Sequence, residues 1–442
     1  MLSDADIVTL PIRSDENSFG NYVFELGRKK SARKNNDNVR KLLTHRINEK
    51  GLLKRMLNPV KPSKFFKSYW QDQYLFHSSK KNRSFFTGLH SIKKLKRDLR
   101  THRYQVSDVR LVQNQQYVAL GEEKSLLGTY GDEGFDSDEF IAIGGSVVVD
   151  DIHRYNKDLN RIWHEFVDLF RFPVTCTSYF TPPGLNTFPT HWDTDDVFVL
   201  QVEGIKHWEV YEPVIPDLLE HHKWAKYACD FGEPIFSGTL KPGDLLYIPR
   251  GFPHYVYTDK TRPSLHITVG VCIPTWHRCL TSAVERAMLE CGQMSDFRQP
   301  SPLMLGSKGE KSLEKYFDQL KKELMKQITL SSLYEANKDV LARQEAWGTM
   351  LETSYEKNYP VPDPDDRLLR SPGLCFVKKT RQGAVMEFGG RILLFPKKAL
   401  HCLQTIAQSD SLRATDLPGK LSLTEHLVIL RRLLNEGVLI PA

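Results

Sequence analysis

Short runs of alternating apolar and polar residues fill the middle of the chain and predict a block of β-strands between residues 174 and 272. Turns that contain Pro or Gly separate these runs, as expected for antiparallel strands. The predicted strands are Thr175–Phe180, Asp195–Val202, Lys206–Tyr211, Asp244–Ile248, His254–Thr258 and Leu265–Val271. Many short antiparallel strands of this kind predict a double-stranded β-helix, a jelly roll of the cupin kind.

Apolar residues at three- and four-residue spacing flank this block, which predicts helices around the barrel and an α+β fold class. The helices expected before the barrel are one that continues from the N-cap Ser63 to Trp70, then Ile92–Leu99 and Ile152–Phe170. Short strands are expected near Val109–Val112 and Tyr117–Leu120. The acidic loop at 131–139 fits a cation, but a solvated loop is the favoured interpretation.

Changes in composition divide the chain into predicted domains. These are residues 1–57, a basic and partly disordered extension; 58–272, the barrel with its N-terminal helices; 273–358, a helical region; and 359–442, a C-terminal unit after a Pro-rich linker. The C-terminal unit combines short strands and helices, which predicts a winged-helix-like fold. Its last helix carries only the basic pair Arg431 and Arg432, so docking is favoured over direct nucleic-acid binding.

Two helices in the region 273–358 carry long apolar stripes, at Trp276–Cys291 and Ser312–Leu333. Such helices outside a barrel often pair with a second copy of themselves. We therefore expect a homodimer, although packing within one chain would explain the stripes equally well.

Charge and cysteine content narrow the protein class. No segment approaches the roughly 20 apolar residues of a membrane span, and no secretory pattern begins the chain, so we expect no membrane association. The seven Cys are scattered without Cys-x-x-Cys pairs, which indicates a reducing compartment.

Positive charge is concentrated near the start of the chain. The formal charge is +7, and residues 28–55 hold eleven Lys or Arg. This basic stretch is interpreted as a nuclear address, an RNA-contacting surface or a solvated arm.

The candidate chemistry lies in the predicted barrel. His191 and Asp193 are two residues apart, so an extended strand would direct both side chains to one face and Trp192 to the other. A third ligand must come from another strand, and His254 is the best candidate because it follows an apolar run and the turn Pro249-Arg250-Gly251. Two His and one carboxylate with open positions form the facial triad of non-haem Fe(II) oxygenases.

Longer motifs carry a more specific signal. The stretches Tyr179-Phe-Thr-Pro-Pro-Gly, His191-Trp-Asp-Thr-Asp-Asp-Val-Phe-Val-Leu-Gln-Val-Glu-Gly-Ile-Lys-His-Trp, Leu246-Tyr-Ile-Pro-Arg-Gly-Phe-Pro-His and Ser264-Leu-His-Ile-Thr resemble the JmjC-type ribosomal oxygenases. The resemblance runs from about Pro59 to the end of the chain. It implies a JmjC barrel, Fe(II), 2-oxoglutarate and O₂ as cofactor and cosubstrates, a homodimer, a ribosomal protein substrate hydroxylated on histidine, and a nuclear, specifically nucleolar, location.

The same resemblance assigns residues. It implies iron ligation by His191, Asp193 and His254, and pairing of Lys206 with the 2-oxoglutarate carboxylate. Chemistry independently requires such a cation, because the distal carboxylate enters a barrel where an unpaired charge is costly. Lys206 follows Gly204 in a predicted hairpin and alternates with Trp208, so it can project inward; the alternative is an exposed strand lysine.

Further cofactor- or substrate-side positions are Tyr179, Thr177 and Thr268. Tyr179 is our choice for a pocket hydrogen bonder, with a buried structural Tyr as the alternative. Relatives often have Asn where this chain has Thr177, and Ser where it has Gly270. Iron and cosubstrate binding are therefore predicted more firmly than the hydroxylated residue.

Three functions compete: a protein histidyl hydroxylase, a JmjC N-methyl-lysine (histone) demethylase and a non-catalytic scaffold. The intact triad with Lys206 argues against the scaffold, and the sequence lacks a Cys/His chromatin-reading module, which weakens the demethylase alternative. We expect an extended basic peptide as the substrate. Asp195, Asp196 and the loop at 131–139 are predicted to supply complementary charge, unless they are simply solvated.

Overall fold

The computed structural model describes residues 7–11, 21–25, 30–46, 51–118, 137–223, 230–301, 311–337, 359–371, 375–380, 383–388, 391–409 and 411–441. The chain divides into two compact units, Met1–Ile273 with Gly348–Gly373 and Gln408–Ala442, and Pro274–Trp347 with Leu374–Ala407. No helix in these described ranges is both long and apolar enough to cross a bilayer.

The first unit contains the barrel. Its strands are β1 (Ile7–Pro11), β2 (Asn21–Glu25), β3 (Leu75–His77), β4 (Val109–Gln113), β5 (Gln116–Val118), β6 (Ser146–Val149), β7 (Val174–Thr181), β8 (Asp196–Glu203), β9 (Lys206–Val210), β10 (Phe236–Leu240), β11 (Leu245–Ile248), β12 (His254–Thr258) and β13 (Ser264–Val271). β1 and β2 form a separate hairpin.

The barrel strands form two sheets. An eight-stranded sheet has the order β3-β11-β8-β13-β7-β6-β4-β5, and a three-stranded sheet has the order β10-β9-β12. Neighbouring strands in both sheets are antiparallel, for example β8 with β13 and β9 with β12. This arrangement confirms the predicted jelly-roll barrel.

β8 is buried on both faces, which explains its nearly continuous apolar sequence. One face packs with the three-stranded sheet in a core formed by Val197, Val199, Trp208, Val210, Leu240, Leu246, Ile248 and Phe252. The other face places Phe198 against the rings of Phe65, Phe166 and Tyr247. Successive side chains of one strand therefore join the barrel interior to the surrounding helices.

The helices of this unit are α1 (Lys30–Arg46), α2 (Leu52–Leu57), α3 (Pro62–Ser68), α4 (Lys80–Leu89), α5 (Ile92–Arg100), α6 (Ser137–Ala142) and α7 (Lys157–Phe170). Leu53, Met56 and Leu57 of α2 are buried. Arg40 of α1 donates a hydrogen bond to the Trp70 carbonyl at 2.7 Å. The predicted boundary between residues 57 and 58 therefore lies within packed structure.

Three predicted elements differ from the structure. α3 begins at Pro62, since proline is preorganised for the first helical turn. The predicted helix from Ile152 is a 3-10 turn up to Tyr155, and α7 starts only after Asn156, whose side chain accepts hydrogen bonds from the N–H groups of Asp158 and Leu159. Residues 137–139 of the predicted acidic loop begin α6, and 131–136 lie outside the described residues.

The second unit contains α8 (Trp276–Cys291), α9 (Lys311–Gln327), the antiparallel strands Cys375–Lys379, Ala384–Phe388 and Arg391–Phe395, and the helix Leu400–Gln408. The prediction of one continuous helix over Ser312–Leu333 is wrong. α9 ends at Gln327, and residues 330–337 form a separate helical segment. Thr329 caps the second segment, because its Oγ1 accepts a hydrogen bond from the Ser332 N–H at 3.1 Å.

The C-terminal part of the first unit holds the strands Leu368–Arg370, Ser411–Leu412 and Leu439–Pro441, and the helix Leu423–Asn435. The three strands form one sheet. Ser422 and Glu425 form a capping box at the start of the helix. The winged-helix-like assignment of residues 359–442 stays a prediction.

Candidate metal centre

The structure brings the three predicted ligands together. One ligand atom each from His191, Asp193 and His254 lies within 4.8 Å of the others. His254 Nε2 is 3.8 Å from Asp193 Oδ2. His191 and Asp193 precede β8 rather than lying on a regular strand, so the predicted strand placement is wrong, but the predicted clustering is present.

Backbone hydrogen bonds hold the two ligand segments side by side. The His191 N–H donates to the His254 carbonyl at 3.2 Å, and the His254 N–H donates to the His191 carbonyl at 2.7 Å. The Gly251 N–H donates to the Asp193 carbonyl at 2.9 Å. This isolated antiparallel bridge supplies the local geometry that a strand was expected to give.

Both imidazoles are oriented by their Nδ1 atoms. His191 Nδ1 lies 2.8 Å from the Pro189 carbonyl oxygen, and His254 Nδ1 lies 3.1 Å from that of Phe252. A carbonyl oxygen can act only as a hydrogen-bond acceptor, so each Nδ1 carries the proton. Each Nε2 therefore has its lone pair available for a metal. Burial, and then the neighbouring His191, lowers the pKa of His254 to about 4, which favours the neutral form that ligates metals.

Trp192 anchors the other side of the ligand segment. Its side chain is buried, and its Nε1–H donates to the His222 carbonyl at 2.8 Å. The alternation predicted for residues 191–193 is thus present even without regular strand pairing.

The candidate ligands open into a cavity of about 530 Å³, a volume that includes its open mouth. The lining residues are Tyr179, Thr187, Phe188, His191, Asp193, Val197, Val199, Lys206, Trp208, His254, Val256, His266 and Thr268. Apolar walls with a few converging polar groups are typical of a small-molecule site.

Lys206 enters this cavity from β9, as predicted, and is 2% exposed. Gly204 makes the preceding turn possible, because it has φ +69° and an added Cβ would lie 2.0 Å from the Pro263 carbonyl oxygen. Burial lowers the pKa of Lys206 to about 7, and no carboxylate in the described residues contributes to this pKa. A buried amine that becomes costly when charged is suited to receive an anionic ligand.

His266 is a cavity residue that the sequence analysis quoted in a motif but did not assign. Its Nδ1 lies 2.8 Å from Lys206 Nζ, and its ring stacks on Tyr179 with centroids 4.8 Å apart. Burial lowers the pKa of His266 well below its usual value, followed by the effect of Lys206, so the imidazole is neutral. Period-two alternation with Thr268 on β13 is the signal that would have identified it.

Only some of the remaining predicted site residues line the cavity. Tyr179 and Thr268 line the cavity, and burial raises the pKa of the Tyr179 hydroxyl. Thr177 is not among the lining residues; its Oγ1 donates to Asp150 Oδ1 at 3.2 Å. A Cβ on Gly270 would lie 2.4 Å from Thr175 Oγ1, so a larger residue there would require a shift of Thr175.

The predicted contribution of Asp196 to peptide binding is wrong. Its side chain is 0% exposed and accepts hydrogen bonds from the Tyr247 hydroxyl and the Arg250 N–H. Asp195 is half-buried, with Oδ2 3.3 Å from Cys272 Sγ. Sequence position alone could not separate these adjacent carboxylates, because successive residues entering a strand face opposite sides.

The residues present fit a divalent metal of the non-haem iron type, because two imidazoles and one carboxylate converge and leave a face open to the cavity. Fold and site together define a cupin barrel with a candidate facial-triad metal centre. Residues 152–279 match the family model of the JmjC domain. This match confirms the resemblance to JmjC proteins that the motifs predicted, for residues 152–279.

Relatives extend this comparison. The chain is 32% identical over 230 residues to the bifunctional lysine-specific demethylase and histidyl-hydroxylase NO66 of Drosophila willistoni, covering 50% of this chain and 28% of the relative. It is 29% identical over 235 residues to mouse ribosomal oxygenase 2, covering 52% of this chain and 49% of the relative. The chain thus spans about half or less of the length of these relatives.

A solved structure shares the fold. The Escherichia coli ribosomal oxygenase YcfD, in complex with cobalt and 2-oxoglutarate, matches with a TM-score of 0.51 and 20% sequence identity. The match covers 86% of this chain and 98% of YcfD. Together with the relatives, it confirms the resemblance to ribosomal oxygenases and the mixed helix-and-barrel fold.

Proposed function

We propose that this protein is an Fe(II)- and 2-oxoglutarate-dependent oxygenase that hydroxylates a histidine of a ribosomal protein. The observation that carries the proposal is that the His191, Asp193 and His254 cluster and the buried Lys206 line the same cavity. A dicarboxylate such as 2-oxoglutarate can chelate the metal at one end and pair with the buried amine at the other, so the two features together indicate this ligand more specifically than either feature alone.

The chain's residues have distinct roles in this proposal. His191, Asp193 and His254 would hold Fe(II), and Lys206 would pair with the distal carboxylate of 2-oxoglutarate. The bound iron supplies oxidative chemistry in which O₂, 2-oxoglutarate and a substrate C–H give succinate, CO₂ and a C–OH group. Apolar Val197, Val199 and Trp208 keep water from the cavity wall, and Lys206 is protonated when it binds the carboxylate.

The substrate assignment rests on the names of the relatives, which describe ribosomal oxygenases and a histidyl-hydroxylase. The name of the Drosophila relative also includes a lysine-specific demethylase activity. Demethylation of N-methyl-lysine is therefore the second candidate, since it begins with the same oxidation of a C–H bond. An extended peptide that lays one side chain into the cavity suits both reactions.

Mass spectrometry separates the candidates. Purified protein is incubated with Fe(II), 2-oxoglutarate and isolated ribosomal proteins, and Asp193→Ala protein serves as the control. We expect a ribosomal protein to gain the mass of one oxygen on a histidine, with wild-type protein only. Loss of a methyl group from a methylated histone peptide would support the demethylase instead, and stimulation by small metabolites alone would contradict both.

We also propose that the protein forms a homodimer through α8. Its Trp276, Leu280, Val284 and Met288 recur every four residues and are all exposed, Trp276 by 62%. A continuous exposed apolar ladder on one helix is typical of an interaction surface. The proposed nuclear and nucleolar location rests on the resemblance to the ribosomal oxygenase family and on the basic residues 28–34, whose side chains lie outside the described residues. Direct nucleic-acid binding is not proposed.

A further inference from the structure

A buried carboxylate follows the candidate ligand Asp193 by three residues. Asp196 is the first residue of β8, three positions after Asp193, and it is not among the residues that line the cavity. Its Oδ2 accepts a hydrogen bond from the Tyr247 hydroxyl at 2.5 Å, and its Oδ1 accepts one from the Arg250 N–H at 3.1 Å. Both oxygens are therefore used within the protein.

These contacts hold the turn that leads to the third ligand. Arg250 is followed by Gly251, whose N–H donates to the Asp193 carbonyl at 2.9 Å. The turn is tight, because Gly251 has φ +84° and an added Cβ would lie 2.2 Å from Leu218 Cδ2. Asp196 and Asp193 thus bind consecutive N–H groups of the turn that precedes His254.

The other partner of the carboxylate is part of a rigid core. The Tyr247 hydroxyl also accepts a hydrogen bond from the Gln71 N–H at 3.0 Å. Its ring packs edge-on against Phe65 with centroids 4.8 Å apart and stacks on Trp70 at 6.0 Å. The carboxylate therefore connects the ligand-bearing turn to the aromatic layer beneath the barrel.

Burial of this carboxylate has a cost. Desolvation raises the pKa of Asp196 to about 6, so its ionised form is disfavoured in spite of two hydrogen bonds. An apolar residue of similar volume would avoid this cost, because replacing buried charges by apolar groups is often neutral or stabilising. We therefore expect the buried Asp196 carboxylate to be retained because it fixes the geometry of the candidate metal site.

We propose that Asp196 is a positioning residue, which fixes the turn before His254 relative to Asp193 and thereby sets the affinity for a divalent metal that it does not touch. The inference rests on the metal-binding part of the proposed function. Second-layer partners of metal ligands typically change metal affinity by about 10- to 100-fold when they are removed.

The chain offers a matched control for general destabilisation. Asp108 is another buried carboxylate, and it accepts a hydrogen bond from the Tyr155 hydroxyl at 2.6 Å. The Tyr155 hydroxyl accepts the Gln105 N–H at 3.0 Å, as Tyr247 accepts that of Gln71. Neither Asp108 nor Tyr155 lines the metal cavity. Tyr247→Phe and Tyr155→Phe therefore remove equivalent hydrogen bonds, and only the first acts on the carboxylate that also binds the turn before His254.

The test is calorimetric titration of the full chain with Co(II), at a temperature well below each variant's melting transition. We expect Asp196→Ala to weaken Co(II) binding by about tenfold or more. Asp196→Asn, whose amide oxygen can still accept the Arg250 N–H, should lie between this variant and wild type. Tyr247→Phe should weaken binding, while Tyr155→Phe should leave the Kd unchanged with a similar loss of melting temperature.

The outcomes separate the two hypotheses. Wild-type protein that binds no Co(II) would overturn the proposed function and this inference with it. Wild-type affinity in Asp196→Ala would overturn the inference alone, and so would equal weakening by Tyr155→Phe, because the effect would then follow from stability. If Asp196→Ala does not fold, the comparison of Tyr247→Phe with Tyr155→Phe decides in the same way.

Discussion

Replacing Lys206 by Met should stabilise the metal-free protein while it removes the proposed anion-binding group. The pKa of this buried lysine is about 7, against 10.5 in the unfolded chain, because burial disfavours the ammonium. A difference of about 3.5 between these pKa values corresponds to about 5 kcal/mol, at roughly 1.36 kcal/mol per pKa unit. Loss of the Lys206 partner leaves His266 Nδ1 unpaired, which costs about 1–3 kcal/mol. The net gain is therefore about 2–4 kcal/mol.

The pH dependence identifies the cause. Between pH 7 and 10.5 the unfolded chain holds a proton on Lys206 that the native state has released, so wild-type stability rises with pH across this window. The advantage of Lys206→Met should be full below pH 7 and should shrink as the pH rises towards 10.5. It should reverse once the cost of the buried charge falls below the cost of the unpaired His266 Nδ1.

Urea unfolding of both proteins at several pH values above 6 measures this difference. Lys241→Met, a substitution of an exposed lysine in the same barrel, is the control and should change stability by less than about 0.5 kcal/mol. If Lys206→Met were less stable than wild type at pH 7, or if its advantage did not change with pH, the ammonium would already be compensated within the fold. The reasoning for an anion site would then be refuted.

The remaining predictions concern ligands and assembly. Asp193→Ala should abolish succinate formation and Co(II) binding without changing the circular dichroism spectrum, since it removes one of three candidate ligands from a preformed barrel; wild-type turnover would refute the triad. Lys206→Ala should retain Co(II) binding but require far more 2-oxoglutarate for turnover, and an unchanged cosubstrate requirement would place the carboxylate partner elsewhere. Leu280→Glu should convert a homodimer to a monomer in light scattering at micromolar concentration, because it places a charge within the exposed α8 ladder, whereas the exposed Val428→Glu should not; a wild-type monomer would end the dimer proposal.

The sequence by itself determined the barrel strands and the candidate ligands. Period-two alternation and the turn residues are local signals, so the strand block at 174–272 and the His191 and Asp193 pair were predictable. For Lys206 the same signals left an exposed strand lysine as the alternative, and the resemblance to the ribosomal oxygenases favoured the inward direction. His254 was identifiable because a turn and an apolar run precede it. The residue types and their spacing are local features, whereas the geometry of the ligand segments depends on the bridge between His191 and His254.

Only the tertiary structure decided which polar side chains are buried and which groups they contact. Asp196 looks like Asp195 in the sequence, but strand pairing directs only Asp196 to the Tyr247 hydroxyl and the Arg250 N–H. Likewise, the pairing of β13 with β7 places His266 opposite Tyr179, and this register brings the imidazole to Lys206. Whether a polar residue is solvated, buried or in the cavity depends on contacts between residues tens of positions apart, and these contacts exist only after the sheets have closed.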